Sequence, residues 1–126
     1  MNSVFDDVRD FHFQSGQPVP MKPQPPALGL ELLRDRLDNE EWQEYAEACD
    51  EQDMAHIAKE ACDLLYVVIG RLITYGIDPQ PVWDAVHKSN MQKINCPRDV
   101  YGKLMKPKGY KAPDIQEILE NQGGPT

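Results

Sequence analysis

The chain has 126 residues, and 13 Lys and Arg against 21 Asp and Glu give it a formal net charge of −8. This charge argues against a protein that coats nucleic acid or binds an anionic membrane, because both need a positive surface. No stretch is apolar and long enough to span a membrane, and the start of the sequence does not resemble a signal peptide. The three cysteines lack CxxC spacing, so they suggest neither a disulfide framework nor a zinc site. We therefore expect one cytoplasmic domain that binds neither nucleic acid nor membrane.

Helical signals begin at the start of the chain. Ser3 is suited to cap a first helix, which should end at Gly16. The segment 16–26 is rich in proline and should run extended over the surface. A second helix is predicted over about 28–50, where neither Pro nor Gly follows Gly29.

Two further helices are predicted after a short polar turn. Asp53 is suited to cap a third helix over 54–75, and its segment 61–70 is apolar almost all the way round, which indicates a helix buried on every side. Because so small a chain cannot surround one helix, we expect part of this surface to meet another subunit. Asp78 and Pro79 should begin a fourth helix that ends near Ile94.

The remainder is predicted to be irregular and basic. Prolines and glycines after residue 96 exclude a long element, apart from a turn or two over 114–120. We predict an all-α fold like a four-helix bundle, as one domain with a first helix and link (1–27), a helical core (28–95) and a tail (96–126). Charge is segregated, because 31–63 holds twelve acids and three bases, whereas 88–111 holds seven bases and one acid. The two segments resemble halves of one site, although both could be solvated surface.

Five carboxylates are predicted to converge between the second and third helices. Glu40, Glu41 and Glu44 fall within one arc of the second helix, and Glu60 and Asp63 share a face of the third. The short turn makes these helices antiparallel neighbours, so the two groups should face each other. Such a cluster must be protonated, splayed into water or neutralised by cations.

Asp63 bears most directly on this choice, because it interrupts an otherwise apolar segment. A buried ion pair with Arg34, Arg36 or Lys59 is one explanation. Hard divalent cations with oxygen ligands account for all five acids at once, and Mg²⁺ is the usual ion where phosphate completes the coordination.

These residues carry a family resemblance. Glu40-Glu41-x-x-Glu44 followed by Glu60-x-x-Asp63 resembles the EExxE…ExxD signature of the all-α (MazG-like) NTP pyrophosphohydrolases. Segments 8–12, 64–70, 75–78, 89–93 and 102–110 are similar to the phosphoribosyl-ATP-pyrophosphohydrolase-like branch of bacteria and phages, so the resemblance covers about 4–120.

The resemblance implies a homodimer or homotetramer that hydrolyses nucleoside triphosphates between the α and β phosphates, with Mg²⁺ or Mn²⁺. Glu41, Glu44, Glu60 and Asp63 would be metal ligands. Glu40 would be either a further metal-shell residue or the base that activates water. The chemistry is consistent with this, because a metal-bound water needs no serine or cysteine nucleophile.

Substrate contacts are also implied by the resemblance. Asn90 would bind sugar or phosphate, and Lys93 would bind phosphate. In the tail, Lys106, Lys108 and Lys111 would close over the phosphates as a mobile flap, and Tyr110 would be a further substrate contact. A solvated basic surface is the alternative for these residues. His12 would contact the base or serve a structural role, and Trp83 would stack on the base or pack against a subunit.

We expect a (d)NTP pyrophosphohydrolase that edits a nucleotide pool, with a purine substrate such as dGTP ahead of dUTP or dCTP. Phosphoribosyl-ATP is a less favoured substrate. Two alternatives stay open. Asp53-x-x-His56 and Asp84-x-x-His87 resemble the ligand spacing of di-iron bundles, and a helical module could bind nucleotides without turning them over.

Overall fold

The computed structural model describes residues 2–123, which form five helices. These are α1 (Val4–Gln14), α2 (Leu28–Glu51), α3 (Met54–Thr74), α4 (Pro79–Met91) and α5 (Ile115–Glu120). Within 2–123 there is no strand, and β-pairing is limited to an isolated antiparallel bridge between Arg98 and Leu104. The predicted all-α fold is confirmed. No helix in the described part of the chain has the length and apolarity that a membrane span requires.

The predicted helix starts are confirmed by their caps. The Ser3 side chain accepts from the backbone of Asp6 in a reciprocal capping box, and Asp53 and Asp78 each accept from a backbone N–H of the first turn that follows. The end of α4 was predicted too late, since the helix stops at Met91 rather than Ile94. Residues 92–94 instead make tighter turns, and Pro97 cannot continue a helix.

α2 and α3 form an antiparallel hairpin that carries the most extensive packing in the molecule. Gln52 closes the turn in the left-handed region with φ 59°. Farther from the turn, Arg34 donates to the carbonyl of Val67 at 3.2 Å, and Arg71 Nε donates to Asp38 at 2.8 Å. These pairs fix the register of the two helices.

α1 packs across α3 and completes a small core. Val8, Ile69 and Ile73 form its buried centre. Beside it, His12 and Arg34 are buried over Gly70, where a Cβ atom would lie 2.8 Å from Arg34 Nη2 and 2.9 Å from His12 Nε2. A glycine at this position therefore allows α1 and α2 to approach α3.

A single copy of the chain does not bury the apolar segment of α3 on every side, as its small size led us to expect. Leu65 is 59% exposed and Val68 is 45% exposed. Leu65 lines a cavity beside Val4 and Val8 of α1 and is still largely open to solvent. The predicted subunit contact at this surface stays a prediction.

The tail is fixed along α4. The Tyr110 hydroxyl hydrogen-bonds to Ser89, and the Gln92 side chain both donates to and accepts from the Lys111 backbone, at 3.1 and 3.3 Å. At the start of α4, the Gln122 amide makes the same two-point contact with the backbone of Asp78, at 2.8 and 3.0 Å. The tail is thus attached to α4 at Tyr110 and Lys111 and again at Gln122, whereas movement of the flap formed by Lys106, Lys108 and Lys111 stays a prediction.

Candidate metal centre and substrate face

Three of the five predicted carboxylates come together at the turn-proximal end of the hairpin. Glu41 of α2 and Glu60 and Asp63 of α3 each offer one oxygen, and these oxygens all lie within 4.8 Å of one another. The antiparallel register explains this, because Glu41 lies two turns closer to the hairpin turn than Arg34 does, opposite the first half of α3.

The other two acids have different positions. Glu44 is exposed but lies within hydrogen-bonding distance of Glu41, one turn away on the same face. Glu40 is exposed and does not belong to the converging group. The rotation of α2 therefore turns Glu41 inward and Glu40 toward water.

The electrostatic state of the cluster reflects crowding of like charges. Burial raises the pKa of Glu41, and the nearby carboxylates of Glu44, Asp63 and Glu60 raise it further. Glu60 is only 5% exposed. Glu41 Oε2 and Glu60 Oε2 are buried without a hydrogen-bond partner among the described residues. Buried carboxylate oxygens of this kind need a donor or a cation.

Two basic side chains cover the outer side of the cluster. Lys59 Nζ lies 2.6 Å from Asp63 Oδ2 and 3.4 Å from Glu60 Oε1. His56 Nε2 lies 3.5 Å from Glu60 Oε1, and His56 Nδ1 lies 2.9 Å from Glu51 Oε2. The hydrogen bond to Glu51 is the main cause that raises the pKa of His56. The ion pair that the sequence left open thus exists with Lys59, but it does not reach the two partnerless oxygens.

The donor set fits a hard divalent cation. All three converging ligands are carboxylates, and no thiol joins them among the described residues. The Asp-x-x-His pairs considered for a di-iron site do not join the cluster either. Asp53 caps α3, and Asp84 lies on α4 and accepts from Gln80.

A separate basic face is built on the end of α4 and the tail. Lys93 donates to Asn90 at 3.3 Å, and the ammonium groups of Lys93 and Lys106 lie 5.7 and 5.2 Å from the centre of the Tyr110 ring. Lys108 is exposed nearby in sequence. Within residues 2–123, no ion pair joins this face to the acidic cluster.

Sequence reasoning missed Ser89 as the anchor of this face. Its side chain is buried and bonds the Tyr110 hydroxyl. A signal was available, because Ser89 lies next to Asn90 in the segment 89–93, and a serine hydroxyl within a helix can hydrogen-bond to another side chain. The partner itself, 21 residues away, could not be identified from spacing.

His12 lies inside the helix packing rather than on the basic face. It is 2% exposed, and burial followed by the charge of Arg34 lowers its pKa. Trp83 is exposed and packs edge-on against Phe5, with ring centres 6.0 Å apart.

The fold and the site together define an all-helical protein in which one helical hairpin carries a partly buried carboxylate cluster. A family model described as phosphoribosyl-ATP pyrophosphohydrolase (PRA-PH) matches residues 8–90, which include every carboxylate of the cluster. The chain belongs to this family, and with it to the MazG-like all-α NTP pyrophosphohydrolase superfamily.

The family indicates a pyrophosphohydrolase that acts on nucleotides, which is a hydrolase of phosphoric anhydrides. No curated protein matches the chain. The family match ends at residue 90, so the basic tail lies beyond it.

Proposed function

We propose that the protein is a divalent-metal-dependent pyrophosphohydrolase that converts a (d)NTP and water to a (d)NMP and diphosphate, and that it edits a nucleotide pool. The observation that carries this proposal is the convergence of Glu41, Glu60 and Asp63, with two buried oxygens that lack a partner among residues 2–123. This arrangement is costly for a structural cluster and favourable for a cation site.

In this proposal Glu41, Glu60 and Asp63 hold Mg²⁺ or Mn²⁺, and Glu44 joins through its contact with Glu41. The cation, when bound, would neutralise phosphate charge and make a neighbouring water more acidic. Glu40, which is exposed and next to Glu41 in the sequence, would accept the proton of the attacking water and pass it to solvent. The water oxygen would bond to the α phosphorus while the bond from that phosphorus to the α–β bridging oxygen breaks, and the bridging oxygen would leave with diphosphate.

The basic face supplies the phosphate contacts. Lys93, Lys106 and Lys108 carry the positive charge, and Asn90 and Tyr110 add polar groups beside them. A triphosphate would pair with these ammonium groups, which have no carboxylate partner within residues 2–123.

For the base we propose a purine, with dGTP first. An open depression of about 420 Å³ is walled by Phe11 and Tyr66, whose ring centres are 5.7 Å apart. Tyr66 lies one helical turn beyond Asp63, so a base there would lie about one turn of α3 from the cluster. Asp10 also lines the depression, and both of its carboxylate oxygens accept from the Gln14 amide at 2.9 Å. Recognition of both N–H groups on the edge of guanine would require Asp10 to exchange this contact for the base.

We also propose that the protein is a homodimer or homotetramer. Leu65 and Val68 on α3, Trp42 on α2 and Trp83 on α4 are all exposed in the single chain. Large exposed apolar side chains on a small protein favour a second copy as the partner.

The decisive experiment incubates the full chain with Mg²⁺ and each (d)NTP, or with phosphoribosyl-ATP, and resolves the products. Monophosphate with diphosphate supports the proposal, whereas binding without turnover favours a nucleotide-binding module. Ferric absorbance after purification would favour a di-iron protein.

Site variants complete this test. Glu41→Gln and Asp63→Asn should lower kcat by at least about a hundredfold while circular dichroism stays unchanged. Glu47→Gln is the matched control, because Glu47 is exposed on α2 outside the converging group. Full activity in either site variant would remove that residue from the proposed centre.

A further inference from the structure

Lys59 is placed to compete for the same carboxylates that a cation would use. It lies one turn before Asp63 on α3, and its ammonium contacts Asp63 Oδ2 at 2.6 Å and Glu60 Oε1 at 3.4 Å. The oxygens on the inner side, Glu41 Oε2 and Glu60 Oε2, are buried without a partner among the described residues. The Lys59 ammonium group therefore contacts two of the three converging carboxylates, and it leaves the two inner oxygens uncompensated.

The contact is built so that it can break. The Lys59 side chain is 67% exposed, and its stem crosses the helix surface, so the ammonium group can move into water without opening any packing. Arg71, another basic side chain of the hairpin, is held differently. Arg71 is only 25% exposed and binds Asp35, Asp38 and the Tyr75 hydroxyl at once. Exposed single ion pairs contribute little free energy, whereas a multidentate guanidinium is firmly held.

We propose that Lys59 is an internal counter-cation of the carboxylate cluster. Its ammonium group leaves Asp63 when a divalent cation binds, and this competition weakens the affinity of the site for that cation. The inference rests on the proposed function for one point, that the cluster binds a divalent cation. The physical reason is exclusion, because Asp63 Oδ2 cannot be in contact with an ammonium group and a metal ion at the same position.

A lysine at this position has two opposite effects. Without a divalent cation it relieves repulsion among Glu41, Glu60 and Asp63, and so it stabilises the fold. During cation binding it must be displaced, and its charge then repels the incoming ion. Removal of the ammonium group should therefore destabilise the metal-free protein and tighten metal binding. A purely structural lysine would produce only the first effect.

The test uses the full chain, stripped of metal by a chelator and dialysed, without nucleotide. Mn²⁺ is titrated calorimetrically into the wild type, Lys59→Met and Lys59→Arg, and the thermal unfolding of each metal-free protein is measured. Lys88→Met is the matched control, because Lys88 is exposed on α4 and makes no ion pair with a described residue.

We expect Lys59→Met to bind Mn²⁺ about three- to fivefold more tightly than the wild type, the range that corresponds to loss of an exposed ion pair, and to unfold at a lower temperature when metal-free. Lys59→Arg and Lys88→Met should not bind more tightly than the wild type. Should Lys59→Met fail to fold, Lys59→Gln replaces it in the titration.

Unchanged or weaker Mn²⁺ binding by the Lys59 variant would overturn this inference and leave the proposed function intact. Failure of the wild type itself to bind Mn²⁺ would overturn both. A lower unfolding temperature with unchanged affinity would assign Lys59 a structural role only, which also contradicts the inference.

Discussion

Substitution of Gly70 by Ala tests whether close approach of three helices positions the site. A Cβ at this position would lie 2.8 Å from Arg34 Nη2, 2.9 Å from His12 Nε2 and 3.2 Å from Arg34 Cζ. Although these atoms end flexible side chains, both residues are buried, and Arg34 donates to the carbonyl of Val67. Neither side chain can swing into solvent, so α1 or α2 has to shift away from α3.

The magnitude follows from three terms. Overpacking of a buried site costs about 1–3 kcal/mol, and loss of a buried hydrogen bond from a charged group costs about 1.5–3 kcal/mol. Ala gains about 0.5–1 kcal/mol over Gly within a helix. We expect a net destabilisation of about 3.5 kcal/mol, which lowers Tm by about 10–17 °C in a chain of this size.

The assay is thermal unfolding at one protein concentration, because oligomerisation would make Tm depend on concentration. Gly29→Ala is the control, since no atom lies within 4 Å of the added methyl group on α2, and it should not lower Tm. If Gly70→Ala were as stable as this control, the packing argument would be refuted.

Three further predictions concern the basic face and the buried histidine. Lys93→Ala should raise KM about tenfold with a smaller effect on kcat, because the proposed charged hydrogen bond from Lys93 to phosphate would be lost. Steady-state kinetics that show both constants unchanged would contradict this role. Ser89→Ala and Tyr110→Phe should each loosen the tail where Tyr110 meets α4, so trypsin should cleave after Lys108 faster than in the wild type, and equal rates would argue against the anchor. Burial, followed by the charge of Arg34, lowers the pKa of His12 in the folded protein from its ordinary value of 6.5. Below pH 6.5 the unfolded chain therefore binds more protons at His12 than the folded protein does. The free energy of unfolding should fall as pH drops through 6.5 toward the lowered pKa of the folded state. Urea unfolding at about pH 7.5 and about pH 5.5 measures this loss in the free energy of unfolding. The loss should be smaller in His12→Asn than in the wild type, and an equal loss would exclude His12 as its cause.

Local signals in the sequence predicted most of the fold. Ser3, Asp53 and Asp78 cap helices as expected, because a cap depends on only three or four neighbouring residues. The convergence of acids from α2 and α3 was also predictable, since a short turn and the helical period together place Glu41 opposite Asp63.

The features that could not be predicted from the sequence are side-chain positions that depend on packing between distant elements. Glu40 and Glu41 are chemically alike and adjacent, and only the rotation of α2 against α3 turns one of them inward. The burial of His12 over Gly70 depends on where α1 crosses α3. The docking of the tail likewise depends on Tyr110 reaching Ser89, a pairing that no periodicity encodes.

The hairpin has a consequence for the order in which the molecule assembles. Glu41 and Asp63 lie on either side of one tight turn at Gln52, so only the 21 residues between them, nearly all helical, must be ordered before their side chains meet. Closure of so short a segment is entropically cheap and fast compared with the docking of α1 or the tail. We therefore expect the acidic pocket to be in place early in folding, when ions in the surrounding solution can already reach it and reinforce the nascent helix pair.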